Sequence, residues 1–238
     1  MIKILNFLRK YQCHQKHFRT FEYFCRHFKS NLCKMITIID YGLGNIRAFL
    51  NVYEKLRIPV QVARFPAEVE NATKLILPGV GSFDYAMNQL NKSRMREVLE
   101  RRVLDDKIPL MGICVGMQML ADSSDEGHEA GLGWIKGRVR KFDPNLIPFK
   151  SRLPHMGWNS VMTKTEVGLF SGIGDQARFY FLHSYYFECD SESHVICKTD
   201  YGITFASGIN KENVFGIQFH PEKSHLDGVC LLSNFAKL

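Results

Sequence analysis

A cysteine between two glycines is the residue whose type and spacing most clearly suggest chemistry in this sequence. Gly112-Ile113-Cys114-Val115-Gly116 directly follows the apolar segment 108–111. A Gly-x-nucleophile-x-Gly pattern after a buried strand is typical of a nucleophile elbow, where the chain turns sharply into a helix and exposes one side chain. Small flanking residues are expected because that turn is strained and crowded. The pattern therefore predicts Cys114 as a nucleophile.

A histidine and a glutamate two residues apart offer the groups that would activate this thiol. His220 and Glu222 follow the apolar segment 214–219. An ordinary thiol has a pKa of about 8.5, so Cys114 needs help, and a helix N-terminus favours the thiolate. His220 would accept the proton and return it to a leaving amine, while Glu222 would orient the imidazole. We therefore predict a catalytic triad of Cys114, His220 and Glu222.

An acyl-transfer site also needs hydrogen-bond donors for a developing oxyanion. The amide of Val115, next to the nucleophile, is one candidate. The second is expected in the segment Pro78-Gly79-Val80-Gly81-Ser82-Phe83, which follows another apolar run. Glycines on both sides of Val80 would allow its peptide to rotate toward or away from the site. We predict Val80, Gly81 and Val115 as an oxyanion hole; the alternative is a tight structural turn at 78–81.

The elements that must position these residues alternate between strand and helix. Apolar patterns predict strands at 35–40, 59–63, 74–77 and 108–113, a helix at 46–57, and helical structure in one or two pieces at 83–104. After about Gly133 short strands follow, at 134–142, 158–162, 178–187, 194–199, 203–208 and 213–219, before a final helix at 224–235. Alternating strands and helices form βαβ units with a parallel sheet. We predict one α/β domain over 35–238, with an open, mostly parallel central sheet, helices on both faces and a strand-rich C-terminal part.

The net charge of +7 comes from one end of the chain. Eight of the 31 Lys and Arg and one of the 24 Asp and Glu lie in residues 1–34, which leaves 23 of each sign in residues 35–238. The domain therefore has no basic excess that would indicate nucleic acid. Residues 1–34 also carry Phe18, Phe21, Phe24 and Phe28 at helical spacing, a pattern that suits a membrane surface or a partner. We expect a basic extension that precedes a natural start at Met35.

The sequence lacks several motifs that would indicate a cofactor or a secreted protein. Seven cysteines without regular spacing do not form a disulfide framework, and no secretory signal or membrane-length apolar run is present, so we expect a reducing cytoplasm. Gly42-x-Gly44 lacks the third glycine and the acidic residue of a dinucleotide loop. No residue set suggests a metal, flavin or nucleotide, and we expect no cofactor.

Six blocks of the sequence resemble class I (triad) glutamine amidotransferases. They are Ile39–Asn45, Leu77–Phe83, Gly112–Gln118, Pro154–Asn159, His183–Tyr186 and Phe219–Ser224. The Cys and His-Pro-Glu elements are typical of the whole family. Pro-Gly-Val-Gly at 78–81 and Pro-His-Met-Gly-Trp-Asn at 154–159 are narrower, and resemble the glutaminase subunits of imidazole glycerol phosphate synthases. Residues 1–34 have no counterpart in this resemblance.

The resemblance implies glutamine as the substrate. Cys114 would attack its side-chain amide, His220 would protonate the departing ammonia, and water would hydrolyse the γ-glutamyl thioester. The residues that would hold glutamine are Gly79, Gln118, Glu126, Ser184 and Tyr185. For Gln118 and Glu126 a solvated helix face and loop is the alternative.

The resemblance also implies a heterodimer. Ammonia would pass to a (β/α)8 cyclase subunit that makes imidazole glycerol phosphate and AICAR, and the interface would include Asn45, Met156, Trp158, Asn159 and Tyr180. Trp158 is alternatively a core aromatic.

Three other functions stay open at this point. A paralogous glutaminase subunit would supply ammonia to another acceptor, as in surface-polysaccharide sugar biosynthesis. A non-catalytic binding protein of the same fold would require a damaged triad, and all three residues are present. A cysteine hydrolase or peptidase would not need the blocks at Gln118 and at 183–185.

Overall fold

The structure is a computed structural model that describes residues 35–150, 152–163, 168–174 and 177–238. The predicted extension at 1–34 lies outside the described residues, so its expected role stays a prediction.

Five short apolar strands pair in parallel to form the centre of the main sheet. They are β1 (Ile36–Ile39), β2 (Val60–Ala63), β3 (Lys74–Gly79), β4 (Leu110–Cys114) and β13 (Val214–Ile217), in the order β2-β1-β3-β4-β13. All residues of β1, β3, β4 and β13 are buried. Helices cover both faces of such a sheet, which is why these four strands are largely apolar rather than alternating, with Thr37 and Lys74 as buried polar exceptions.

The strand-rich C-terminal part continues the same sheet, mostly in antiparallel pairs. The order runs from β13 through β12 (Ile203–Lys211), β10 (Tyr185–Cys189) and β6 (Gly137–Lys141) to β5 (Ser123–Ser124), which is parallel to β6. On a side branch, β11 (Val195–Tyr201) pairs with β12 and with β8 (Met162–Thr163). The predicted α/β fold class is therefore confirmed.

The helices of the described residues lie between the strands of the parallel part and at the C-terminus. They are α1 (Ile46–Leu56), α2 (Pro66–Val69), α3 (Phe83–Lys92), α4 (Arg96–Glu100), α5 (Val115–Gln118) and α6 (His225–Lys237). A π-helical turn at Arg101–Asp105 extends α4, and 3-10 turns occur at Pro144–Leu146, Gly168–Phe170, Glu192–His194 and Pro221–Lys223. Among the described residues, no helix combines the length and the apolar character that a membrane crossing requires.

Strands β7 (His155–Ser160) and β9 (Arg178–His183) form a separate antiparallel ribbon. The prediction of one strand over 178–187 was wrong. His183 pairs with His155 in the ribbon, whereas Tyr185 pairs with Lys141 in the main sheet, so the chain changes sheets at Ser184. The residue alternation continues through this point and gives no sign of the switch. The strand predicted at 158–162 lies at 155–160.

Candidate active site

The chain turns from β4 into α5 at Cys114, whose backbone has φ 57° and ψ −115°. This conformation is unfavourable for a residue with a side chain and is expected only where surrounding contacts enforce it. The neighbouring glycines allow those contacts. A Cβ on Gly116 would lie 2.0 Å from the carbonyl oxygen of Leu77, and a Cβ on Gly112 would lie 2.5 Å from that of Gly116. The elbow is therefore built by close backbone packing between β3, β4 and α5.

The histidine and the glutamate reach the same place because β13 lies beside β4. The two strands are parallel, so their carboxyl ends meet at one edge of the sheet. Nδ1 of His220 lies 2.9 Å from Oε1 of Glu222, which leaves Nε2 for Cys114. Burial alone would lower the pKa of His220, but hydrogen bonds and charge attraction from Cys114 and Glu222 raise it to about 10. The arrangement favours an imidazolium next to the sulfur.

The ribbon holds the histidine from the other side. The backbone N–H of His220 donates to the carbonyl of Tyr180 on β9 at 2.9 Å. The hydroxyl of Ser224 donates to the carbonyl of His220 at 2.6 Å and accepts from the N–H of Tyr180 at 3.0 Å. Strand β9 therefore fixes the loop that carries His220 and Glu222.

Cys114 and His220 open into a cleft of about 290 Å³. Seven other residues predicted for the site line it with them: Val80, Gly81, Val115, Gln118, Glu126, Ser184 and Tyr185. Glu222 stands behind His220 and Gly79 is packed against the elbow, so neither lines the cleft. A Cβ on Gly79 would lie 2.3 Å from the nitrogen of Gly116. The need for glycine at position 79 therefore follows from packing.

Glu126 reaches the cleft from a loop that is fastened to the start of α3. Its carboxylate accepts a hydrogen bond from the N–H of Phe83 at 2.7 Å. Asp84 on the same helix accepts from the N–H groups of His128 and Glu129, at 2.9 and 3.0 Å. The first turn of a helix favours negative charge, so these contacts stabilise the loop where Glu126 faces the cleft.

Gln218 is a polar residue of the site that the sequence analysis did not single out. It is fully buried, and its Nε2 donates to Sγ of Cys114 over 3.8 Å. Its Oε1 accepts from Nε2 of Gln118 at 3.0 Å, and Gln118 also donates to the carbonyl of Tyr185 at 3.2 Å. A polar residue at the end of an apolar strand, two positions before His220, was the available signal. The lining residues that were not assigned a role are Pro154, Leu182, His183 and Lys223.

The residues predicted to face a partner lie mainly on the ribbon. Met156 and Trp158 are 62% and 37% exposed, so Trp158 is not a core aromatic. Its indole stacks on the exposed imidazole of His225, with centroids 4.8 Å apart. Asn159 and Tyr180 are half-buried, and Asn45 is exposed at the start of α1. Met156 pairs with Leu182, which lines the cleft, so the exposed side of the ribbon adjoins the cleft.

Comparison with known sequences shows what the chain is similar to. Residues 37–237 match the model of the glutamine amidotransferase class-I family. The imidazole glycerol phosphate synthase subunit HisH of Bdellovibrio bacteriovorus is 55% identical over 206 residues, which are 86% of this chain and 100% of the relative. The subunit of the same name from Leptospira borgpetersenii is 48% identical over 204 residues, again 86% of this chain and 100% of the relative.

Solved structures share the fold at much lower identity. A crystal structure of a glutamine amidotransferase superposes with a TM-score of 0.66 at 18% identity, covering 85% of this chain and 99% of that chain. A chain in the structure of PurLQS from Thermotoga maritima gives a TM-score of 0.66 at 15% identity, covering 86% and 98%.

Proposed function

The chain belongs to the class I glutamine amidotransferase family, and we propose that it is the glutaminase subunit of an imidazole glycerol phosphate synthase. The observation that carries the chemistry is the meeting of Cys114, His220 and Glu222 at adjacent strand ends, beside a cleft with room for a small amide. The pathway assignment rests on the two relatives at 55% and 48% identity. Both carry the name of that subunit, and the match covers the full length of each.

In the first half-reaction, Sγ of Cys114 attacks the side-chain amide carbon of glutamine. The carbonyl oxygen becomes an oxyanion. One hydrogen-bond donor to it is the N–H of Val115 at the start of α5, and the loop at Val80 and Gly81 supplies the other. His220 gives its proton to the amide nitrogen, the C–N bond breaks, and ammonia leaves. A γ-glutamyl thioester remains on Cys114, while Glu222 keeps the imidazole oriented.

In the second half-reaction, His220 takes a proton from water and the resulting hydroxide attacks the thioester carbon. The C–S bond breaks, glutamate leaves, and the sulfur and imidazole return to their starting state. Gln118, Glu126, Ser184 and Tyr185 line the cleft and hold the amino-acid part of the substrate. The carboxylate of Glu126 suits the α-ammonium group of glutamine because the two carry opposite charges.

Ammonia passes to a cyclase subunit that docks on the exposed side of the ribbon, where Met156 and Trp158 lie. In water near neutral pH most ammonia is protonated and no longer nucleophilic, so direct transfer preserves it. Leu182 lines the cleft and pairs with Met156, which gives the product a short route toward that face. We propose a (β/α)8 fold for this partner and a cytoplasmic heterodimer.

The experiment is glutamate release from L-glutamine by the full chain, alone and with the cyclase subunit of its own organism and that subunit's nucleotide substrate. We expect weak turnover alone and strong stimulation by the pair. Turnover without stimulation by this partner would point to another ammonia acceptor and reject the histidine-pathway assignment. Absence of glutamate release in every mixture would reject the glutaminase itself.

A further inference from the structure

Two buried histidines join the ribbon to the cleft by hydrogen bonds. Nδ1 of His183 lies 2.7 Å from the carbonyl oxygen of Tyr185, and Nε2 of His183 lies 3.0 Å from Nδ1 of His155. The exposed fractions of these two residues are 6% for His183 and 3% for His155. His183 lines the cleft and His155 does not. The pair therefore reaches the site from behind.

The direction of each hydrogen bond follows from the groups involved. The carbonyl of Tyr185 can only accept, so Nδ1 of His183 carries the hydrogen and its Nε2 accepts. Nδ1 of His155 must then donate to His183, which leaves Nε2 of His155 to accept from Nδ2 of Asn159 at 3.2 Å. Burial lowers the pKa of His155 to about 4 and that of His183 to about 3, so both rings are neutral near pH 7.

Asn159 forms the outer end of this series of hydrogen bonds and contacts both the ribbon and β11. Nδ2 of Asn159 also donates to the carbonyl of Asp200 at 2.9 Å, so its position is fixed by two contacts. Asn159 is adjacent in β7 to the exposed Trp158. The outer end therefore lies on the strand that carries the exposed aromatic residue.

The inner end reaches the nucleophile. The carbonyl of Tyr185 accepts from Gln118 as well as from His183. Gln118 donates in turn to Gln218, and Gln218 donates to Sγ of Cys114. Each of these buried groups has a partner along the chain, so a change at one link leaves a polar group unsatisfied at the next.

Packing explains the ring of His155 but not its nitrogens. The ring stacks on Tyr201, with centroids 3.9 Å apart, and on Phe181 at 4.6 Å. A phenylalanine ring would fill the same space without burying two polar atoms. The nitrogens are therefore the part of the side chain that packing does not require.

We propose that His155 and His183 are positioning residues, which fix the Tyr185 carbonyl and, through Gln118 and Gln218, hold Sγ of Cys114 in its reactive position. The chain of contacts gives the strand bearing Trp158 a direct connection to the nucleophile. Two experiments test this proposal. The first measures glutamine hydrolysis and rests on the proposed function, whereas the second measures the alkylation of Cys114 and does not depend on it.

The test is a double-mutant cycle with His155→Phe and Gln218→Leu, in the full chain bound to its cyclase subunit. Each variant keeps most of the side-chain volume and removes the polar groups. Tyr201→Phe is the matched control, because it keeps the ring that stacks on His155 and removes a hydroxyl that donates to the carbonyl of Arg152 outside the chain of contacts. His155→Gln restores a donor and an acceptor. Thermal unfolding checks that each variant folds.

In the glutamine arm we expect each single variant to lower kcat about tenfold, with a smaller change in KM. The double variant should also lose about tenfold, since both changes break one chain of contacts. His155→Gln should recover part of the loss, and Tyr201→Phe should match the wild type. A hundredfold loss in the double variant, or unchanged kcat in His155→Phe, would overturn the proposal.

In the second arm, the alkylation of Cys114 by iodoacetamide is followed by mass spectrometry without glutamine. The half-buried Cys230, whose thiol donates to the carbonyl of Ser171 rather than to a residue of this series of hydrogen bonds, is the internal control. We expect His155→Phe and Gln218→Leu to slow the alkylation of Cys114 about threefold, again without adding, and to leave Cys230 unchanged. If the effects of the two substitutions on alkylation are not additive but the protein releases no glutamate, the positioning role is supported and the proposed function is rejected. If the two effects are additive and the protein is an active glutaminase, the proposed function is supported and the positioning role is rejected.

Discussion

Nδ1 of His220 lies 2.9 Å from Oε1 of Glu222, and both side chains are almost completely buried. Because Nδ1 donates to the carboxylate, Nε2 of the same ring is the nitrogen available to Cys114. Glu222 and Cys114 together overcome the effect of burial and raise the pKa of His220. The protonated form needed to expel ammonia is thus favoured by residues on both sides of the ring.

Glu222→Gln tests this relationship with little change in shape. The amide no longer carries the charge that stabilises the imidazolium, so less proton donation to the leaving nitrogen is expected. We expect kcat for glutamine hydrolysis to fall by about 10²–10⁴-fold with a small change in KM. Steady-state glutamate release measures both quantities. Activity within about twofold of the wild type would remove Glu222 from the mechanism.

Cys114→Ser separates glutamine hydrolysis from partner function. A hydroxyl is a much weaker nucleophile than a thiolate, so we expect no measurable glutamate release. Synthesis driven by added ammonium salt should be unchanged in the complex, because the cyclase then needs no glutaminase. The two assays are run on the same preparation. Loss of ammonia-driven synthesis would mean that the substitution damages the complex rather than the nucleophile.

Gly116→Ala tests the packing that builds the elbow. The added Cβ would lie 2.0 Å from the carbonyl oxygen of Leu77, so one of the two backbone segments would have to shift. We expect a loss of about 3 kcal/mol or more in the free energy of unfolding, measured by urea denaturation. Gly174→Ala is the control, because a Cβ there meets no atom of the described residues within 4 Å. Equal stability of the two variants would contradict the packing of β3 on α5.

The buried histidine pair predicts a dependence of stability on acid. The pKa of His155 is about 4 in the folded chain and 6.5 in the unfolded chain, so the unfolded state binds more protons between these values. The contribution of His155 to the free energy of unfolding is therefore fully present above pH 6.5. It falls as pH drops toward 4, by about 3 kcal/mol. His155→Phe should show a shallower loss in urea denaturation over that range. A slope identical to the wild type would show that His155 is not held neutral.

The features that the sequence predicted correctly are those encoded locally. The apolar segment before Gly112 predicts β4, and the glycines around Cys114 predict the turn at its end. The family resemblance is confirmed by the match over residues 37–237. Cys114 and His220 could be placed in the cleft because each belongs to a short motif at the end of a predicted strand, whereas Glu126 came only from the family resemblance.

The features that the sequence did not predict depend on distant pairing. The change of sheet at Ser184 is decided by which strands His183 and Tyr185 meet, and the alternation of side chains is the same in both cases. The contact between Gln218 and Cys114 joins residues 104 positions apart. Such contacts follow from the register of β13 beside β4, which a single sequence does not specify.

The most direct test of the central claim is to trap the covalent intermediate. The full chain in its cyclase complex is mixed with L-glutamine, quenched in acid within one turnover, and digested for mass spectrometry. We predict a mass increase of one γ-glutamyl group on the peptide containing Cys114, absent in Cys114→Ser. Release of glutamate without any adduct on Cys114, or an adduct on a different residue, would contradict the mechanism.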